Sequence, residues 1–155
     1  MHRISAQKSL QFPDSTTPQS IDLAQKDLLF GNPKFTNADY KIHKWEQKPA
    51  TTMQNDFAKL MVYLFSDETE ANAKFKRACR DSQERLDPPL TKIDQLKNLW
   101  ERILPHRELI IGGLRIQTCP KGQLDKAYNS SEMSDGERVI FYLIGQCLAA
   151  PENGI

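Results

Sequence analysis

Ser130-Ser131-Glu132-Met133-Ser134-Asp135-Gly136-Glu137-Arg138 runs straight into Val139-Ile140-Phe141-Tyr142-Leu143-Ile144. How this stretch folds decides the rest of the molecule. Ser134 and Glu137 stand at the S-x-x-E spacing of a capping box, in which the hydroxyl accepts from the third helical N–H and the carboxylate reaches back to the cap. The spacing predicts one helix over 134–150. Residues 139–144 are apolar on every side, so this helix is expected to be deeply buried. A buried strand is the competing reading, but the length and the cap favour helix. Gly136 falls in the first turn, where it costs up to about 1 kcal/mol of helix propensity relative to Ala. It would let a ligand come close to the backbone. Free N–H groups at a helix start, beside a serine hydroxyl, suit a phosphate oxygen. A capping box with no ligand satisfies the same pattern.

Upstream, Glu108-Leu109-Ile110-Ile111, Gly112-Gly113 and Leu114-Arg115-Ile116-Gln117-Thr118 read as a β-hairpin with a two-glycine turn. Residues 120–133 form a polar loop with room for one short strand. Residues 51–104 carry three helical patterns. Phe57, Leu60, Met61, Leu64 and Phe65 make the first stripe, with Thr51 and Gln54 at capping-box spacing. A second helix is expected from Asp67 to Arg85. After Pro88-Pro89, Ile93, Leu96, Leu99, Trp100 and Ile103 share the face of a third, capped by Thr91 and Asp94 and ended by Pro105. Residues 11–50 are mostly irregular, with one short helix from Ile21 to Phe30, Ser20 as its cap and Gly31 past its end. The chain starts in a weakly alternating segment, Arg3 to Leu10, and stops at Pro151-Glu152-Asn153-Gly154-Ile155, a turn into what reads as the next strand. It is expected to be a piece of a longer protein.

Composition narrows the classes. Val62 and Val139 are the only valines among 155 residues, too few for a sheet-dominated protein. The 36 Leu, Ile, Val and Phe residues argue against wholesale disorder. Twenty-one basic residues balance twenty acidic ones, which disfavours a generic polyanion binder. Cys79, Cys119 and Cys147 are odd in number and lack C-x-x-C spacing, so a disulfide framework is not expected and a reducing, cytoplasmic setting is. No apolar run approaches the ~18 residues of a membrane span, and no membrane partner is expected. His2, His43 and His106 share no metal-ligand spacing with the cysteines.

Met133-Ser134-Asp135-Gly136-Glu137 resembles the signature motif of ABC-class ATPases, Leu-Ser-Gly-Gly-Gln or Leu-Ser-Gly-Gly-Glu. Acid-ended variants belong to the chromosome-maintenance, RecF-like and overcoming-lysogenization-defect members. The longer phrase Ser131 to Tyr142 is more similar to AAA-annotated ATPases of bacterial defence systems. The chain departs from the consensus at Met133 and at Asp135, and keeps the serine and second glycine. The resemblance implies an α/β, P-loop NTPase head, here represented by a helical lobe, a β-hairpin and the signature helix. Residues 1–20 would belong to the ATPase core, 21–106 to the helical lobe, and 107–155 to the hairpin and signature region ahead of Walker B. It implies that Ser134, Asp135, Gly136 and Glu137 contact the γ-phosphate of ATP held by a second head. Gln7, in Ile4-Ser5-Ala6-Gln7, would be the Q-loop residue near Mg2+. The G-x-x-x-x-G-K-[ST] loop has no match in the chain, so no catalytic residue is assigned and the piece alone is not expected to hydrolyse ATP. Implied partners are a second head, a nuclease effector and DNA.

Two basic clusters are candidates for nucleic acid: Lys74, Lys76, Arg77 and Arg80, and Lys41, His43, Lys44 and Lys48 around Trp45. Both have plainer readings, a solvated helix face and an aromatic anchor. The alternative to the ATPase is a helical module that binds nucleic acid or protein with no nucleotide chemistry.

Overall fold

Residues 12–32, 34 and 56–150 are described by the computed structural model. Among them are four α-helices and a small three-stranded antiparallel sheet, giving a mixed α/β domain in which the helices pack on one another and the sheet lies to one side. Phe57, Leu60, Met61, Leu64 and Phe65 all lie fully buried on helix α2 (Asp56–Asp81), which the other helices surround. This helix replaces the two helices expected over 51–85. Asp67 does not start a new helix because the nearby hydroxyls turn back into the existing one. Ser66 Oγ donates to Val62 O at 2.7 Å and Thr69 Oγ1 to Phe65 O at 2.7 Å, the i−4 bonding of a helix interior. No Gly or Pro interrupts residues 67–81, whose Ala, Lys, Arg and Glu are strong helix formers. The Thr51–Gln54 pair lies outside the described residues.

Helix α1 (Ile21–Phe30) ends at Gly31 with φ +78°, a left-handed cap that glycine accommodates. Ser20 precedes it but makes no side-chain cap bond. Lys59 Nζ meets Asp27 Oδ1 at 2.8 Å and ties α1 to α2. Helix α3 (Lys92–Ile103) has the capping box expected of Thr91 and Asp94, with both reciprocal bonds present. Its buried face is narrower than the sequence pattern suggests. Ile93, Leu96 and Trp100 are inside, whereas Leu99 is 38% and Ile103 54% exposed. Position 99 sits about 100° around the helix from Trp100, off the buried line, and Ile103 is the last residue of the helix, past the part that the neighbouring elements cover.

Strands β1 (Arg107–Gly112), β2 (Arg115–Pro120) and β3 (Tyr128–Asn129) pair in that order, all antiparallel. The hairpin is as expected, but its turn is one residue further on. Gly112 pairs with Arg115 in the ladder, and the loop is Gly113-Leu114, with φ +58° and +60°. Two successive positive φ values give the twist that a two-residue hairpin loop requires. Two 3-10 turns, Leu124–Lys126 and Ser130–Glu132, frame β3.

Helix α4 (Asp135–Ala149) follows, with Ser134 as its N-cap. Phe141 and Tyr142 enter an aromatic cluster in which Phe12 stands 4.6 Å from Phe57 and 5.1 Å from Phe141, and Phe57 stands 4.4 Å from Tyr142. Gly145 is needed here, because a Cβ on it would come within 2.5 Å of Leu60 Cδ2. Burial on every side is not what α4 shows. Val139 is 40% and Leu143 43% exposed, and Cys147 is exposed too, which corrects the expectation that the whole helix, Cys147 included, is deeply buried. Positions 139, 143 and 147 recur every four residues and so share one line on the helix surface. Helices α2 and α3 cover the other sides.

Candidate functional site

The approach to α4 is tied down residue by residue. Asn129 and Glu132 form a capping box around the 3-10 turn Ser130–Glu132. Ser130 Oγ donates to Pro13 O at 3.1 Å, and the Ser131 hydroxyl donates to the Asp14 carboxylate, linking this turn to a segment more than a hundred residues earlier. Arg138 Nη2 reaches back to Ser131 O at 2.6 Å. Met133 is buried between these anchors. The chain therefore arrives at Ser134 in a defined direction.

Ser134, Asp135 and Gly136 are all exposed, and the helix behind them is buried except along the line of Val139, Leu143 and Cys147. The N–H groups of Asp135 and Gly136 belong to the first helical turn, which has no carbonyl a turn earlier to accept them. Gly136 does not have positive φ, and a Cβ built on it would meet nothing within 4 Å. The fold therefore gives no steric reason for glycine at this position. Asp135 brings its N–H to the helix mouth, together with a carboxylate that suits the helix dipole and opposes an anion.

Glu137 is different: only 7% exposed, it lies beneath the turn. Its Oε2 accepts from Ser134 N at 2.8 Å and from Ser134 Oγ at 2.8 Å. Its Oε1 accepts from Tyr128 Oη at 2.8 Å and stands 3.0 Å from Arg107 Nε. The Arg107 contact is an ion pair without good hydrogen-bond alignment. Burial pushes the carboxyl of Glu137 up, but the bonds from Ser134 and Tyr128 and the charge of Arg107 outweigh it, and the acid lies below its ordinary range. Burial and the Glu137 bond together raise Tyr128 to about 12. The Ser134 hydroxyl thus donates its hydrogen bond to the Glu137 carboxylate in the free chain. To bind an anion, that hydroxyl has to rotate outward.

Arg107 and Tyr128 carried no signal in the sequence, since they come from β1 and β3 and meet Glu137 only through the sheet. The same is true of Pro13 and Asp14. Gln7, the Lys41–Lys48 cluster with Trp45, and Pro151 to Ile155 lie outside the described residues.

The basic residues of α2 sit elsewhere, on its C-terminal half, where only Phe75 among residues 72–81 is even half-buried. Lys74 is paired, its Nζ 2.7 Å from Glu70 Oε1. Lys76, Arg77 and Arg80 are exposed on one side of the helix. On the opposite side of α2 a cavity of about 490 Å³ opens between α1, α2 and the loop before α3, lined by Ile21, Asp67, Lys74, Phe75 and Pro89 among others and by none of Lys76, Arg77 and Arg80. It includes none of Ser134 to Glu137. Among the described residues, no three His, Cys, Asp or Glu side chains gather as a metal site, all three cysteines are free, and no helix is long and apolar enough to cross a membrane. Comparison with protein-family models, with curated proteins and with solved structures gave no match for this chain.

Proposed function

We propose that this chain is part of the head of a cytoplasmic ABC-type ATPase, a P-loop NTPase, and that its Ser134–Glu137 turn contacts the γ-phosphate of ATP bound to a second head. One observation supports this above the others. An exposed glycine, which the surrounding fold does not require, sits in the first turn of a helix whose approach is fixed by a chain of hydrogen bonds. Ser134 Oγ and the N–H groups of Asp135 and Gly136 supply the donors, and the helix dipole favours the incoming charge. The nucleotide cradle and the Mg2+ ligands would come from residues outside 12–150. ATP and Mg2+ are therefore cofactors of the complete protein, and a homodimer or higher oligomer is its working form. Defence against phage, with a nuclease effector, or DNA maintenance is the setting the motif suggests.

The test uses this chain joined to the P-loop and Walker B segments it needs. Gly136→Asp places a side chain and a negative charge at the phosphate, and loss of a charge-assisted hydrogen bond is worth about 1.5–3 kcal/mol. ATP-driven dimerisation, read by sedimentation, should weaken by roughly tenfold to a hundredfold. ATP binding to the monomer should be unchanged, and mixing with a P-loop lysine variant should restore one site of the two. Loss of monomer affinity with normal dimerisation would falsify the contact in trans.

The second reading is a helical module without nucleotide chemistry, with Lys76, Arg77 and Arg80 facing nucleic acid. Their exposure along one side of the free half of α2 favours it. Charge removal at these three positions should then lower affinity for DNA or RNA and reduce its salt dependence.

A further inference from the structure

Helix α2 is far longer than the helix packed along it. At 1.5 Å per residue its 26 residues span about 39 Å, and the 10 residues of α1 span about 15 Å. The two run antiparallel. Asp27, near the end of α1, meets Lys59 in the first turn of α2 at 2.8 Å, and Gln19 N, just ahead of α1, donates to Ser66 Oγ at 2.9 Å. The line of α1 therefore stops beside Ser66, and α2 continues without it. Past that point Asp67, Glu70, Ala71, Lys74, Phe75 and Ala78 keep the i, i+3, i+4 spacing of a single helix stripe. The cavity of about 490 Å³ lies over this stripe, with Ile21 of α1 and Asp87 and Pro89 of the loop before α3 as its other walls. Its floor is apolar, made by Ala71, Phe75 and Ala78, and Phe75 is half-buried there.

The charge left at the edge of this groove has one sign. Lys74 Nζ stands 2.7 Å from Glu70 Oε1, so that pair cancels itself. Asp67 and Asp87 make no ion pair among the described residues, and Asp67 only accepts from Lys92 N at 3.2 Å. The groove thus sets an apolar floor between two acids that lack a counter-charge. It repels a phosphate-rich or acidic occupant and complements apolar anchors flanked by bases. From 67 to 78 the stripe runs about 17 Å, or three helical turns, which suits a helix better than a compact ligand. We propose that this groove docks a basic amphipathic helix of a partner protein. That helix lies along α2 in line with α1, rests its apolar side chains on Ala71, Phe75 and Ala78, and brings Lys or Arg to Asp67 and Asp87. The exposed line of α4 does not supply such a helix from a second copy, since Arg138 is the only base α4 carries. The groove includes none of Ser134 to Glu137, so the inference stands apart from the proposed phosphate contact.

The probe is a synthetic helix-forming peptide of about 14 residues, roughly four turns, with a line of Leu on one face, Lys on both flanks of that line and a fluorescent dye at one end. Its counterpart carries Glu in place of every Lys. Each is titrated with the full chain and read by fluorescence anisotropy, with urea unfolding of every variant measured in parallel. The basic peptide should bind saturably and more weakly as salt rises, and the acidic one about tenfold more weakly or worse. Ala78→Arg puts bulk and a positive charge on the floor at an exposed position and should weaken basic-peptide binding about tenfold. Asp87→Lys should weaken it about threefold and narrow the gap between the two peptides. Leu143→Lys, on the apolar line of α4, should leave it unchanged. If Ala78→Arg does not fold, Asp87→Lys decides. The inference is overturned by no binding of the basic peptide, by equal binding of the two peptides, or by Ala78→Arg and Asp87→Lys chains that bind like the unaltered one. Loss of binding in Leu143→Lys overturns it too, because the peptide then sits on α4. So does self-association of the chain that Ala78→Arg abolishes while no peptide binds, because the groove then takes a second copy.

Discussion

Gly136 is where the interests of the fold and of the proposed contact separate. Nothing lies within 4 Å of where its Cβ would be, and its backbone is not left-handed. Ala should therefore fit without strain and recover helix propensity. Gly136→Ala is expected to stabilise the chain by up to about 1 kcal/mol in urea unfolding. In the complete protein the same methyl group should impair ATP-driven dimerisation. A variant that is both more stable and fully active would show that the position is neutral and leave α4 with an ordinary capped start. The capping box itself was legible in the sequence because Ser134 and Glu137 are three residues apart. Its partners were not, because Arg107 and Tyr128 are brought to it by strand pairing.

At the scale of the elements, local signals did well and long-range cover did badly. The left-handed Gly31, the Thr91–Asp94 box and the Ser134–Glu137 box were all readable, since each depends on residues within four positions of one another. The single helix Asp56–Asp81 was not, because the sequence reads a fresh helix start at Asp67, whereas Ser66 and Thr69 beside it bond back into the turn before them. The hairpin turn moved by one residue because Leu114 takes a positive φ that a glycine-based reading would not assign to it. Helix α4 makes two demands that can be measured. Gly145→Ala should cost about 1–3 kcal/mol, since its Cβ would fall 2.5 Å from Leu60 Cδ2 at the crossing with α2. At the helix start, the folded-state acidity of Glu137 is stronger than its usual value of 4.5. Its contribution to stability is complete above that value and is lost as pH falls through the lower folded-state value. The stability difference between the unaltered chain and Glu137→Gln should therefore shrink on going from about pH 5 to about pH 3. Glu68 acts in the opposite sense, being raised by burial and by Asp94, but it is common to both chains and cancels. A pH-independent difference would mean that Glu137 is not held ionised by Ser134, Tyr128 and Arg107.

Across the whole molecule, one hydrophobic core runs from Phe12 through α2 and α3 to Ala149, yet its last helix is only partly enclosed. Val139, Leu143 and Cys147 follow one line along α4, starting beside the exposed turn at Ser134–Gly136. The sequence showed that this helix is apolar all round, which is why it was expected to be buried. Exposure of one line depends on what packs against it, and that information is not local. Two consequences follow in solution. A thiol reagent in native buffer should label Cys79 and Cys147 quickly and Cys119 only on unfolding, because Cys119 is fully buried in β2. An uncovered apolar line of this kind also favours association, so the purified chain should sediment as larger species when concentrated. Leu143→Lys places a charge in the middle of that line and touches none of the capping groups. It should suppress the association and leave the unfolding free energy in urea within about 0.5 kcal/mol of the unaltered chain, as expected for an exposed position. Association should also slow the labelling of Cys147 but not of Cys79, which sits far off on α2. If Cys147 is labelled equally fast at every concentration while large species form, the α4 line is not what the molecules share, and the contact lies elsewhere on the surface.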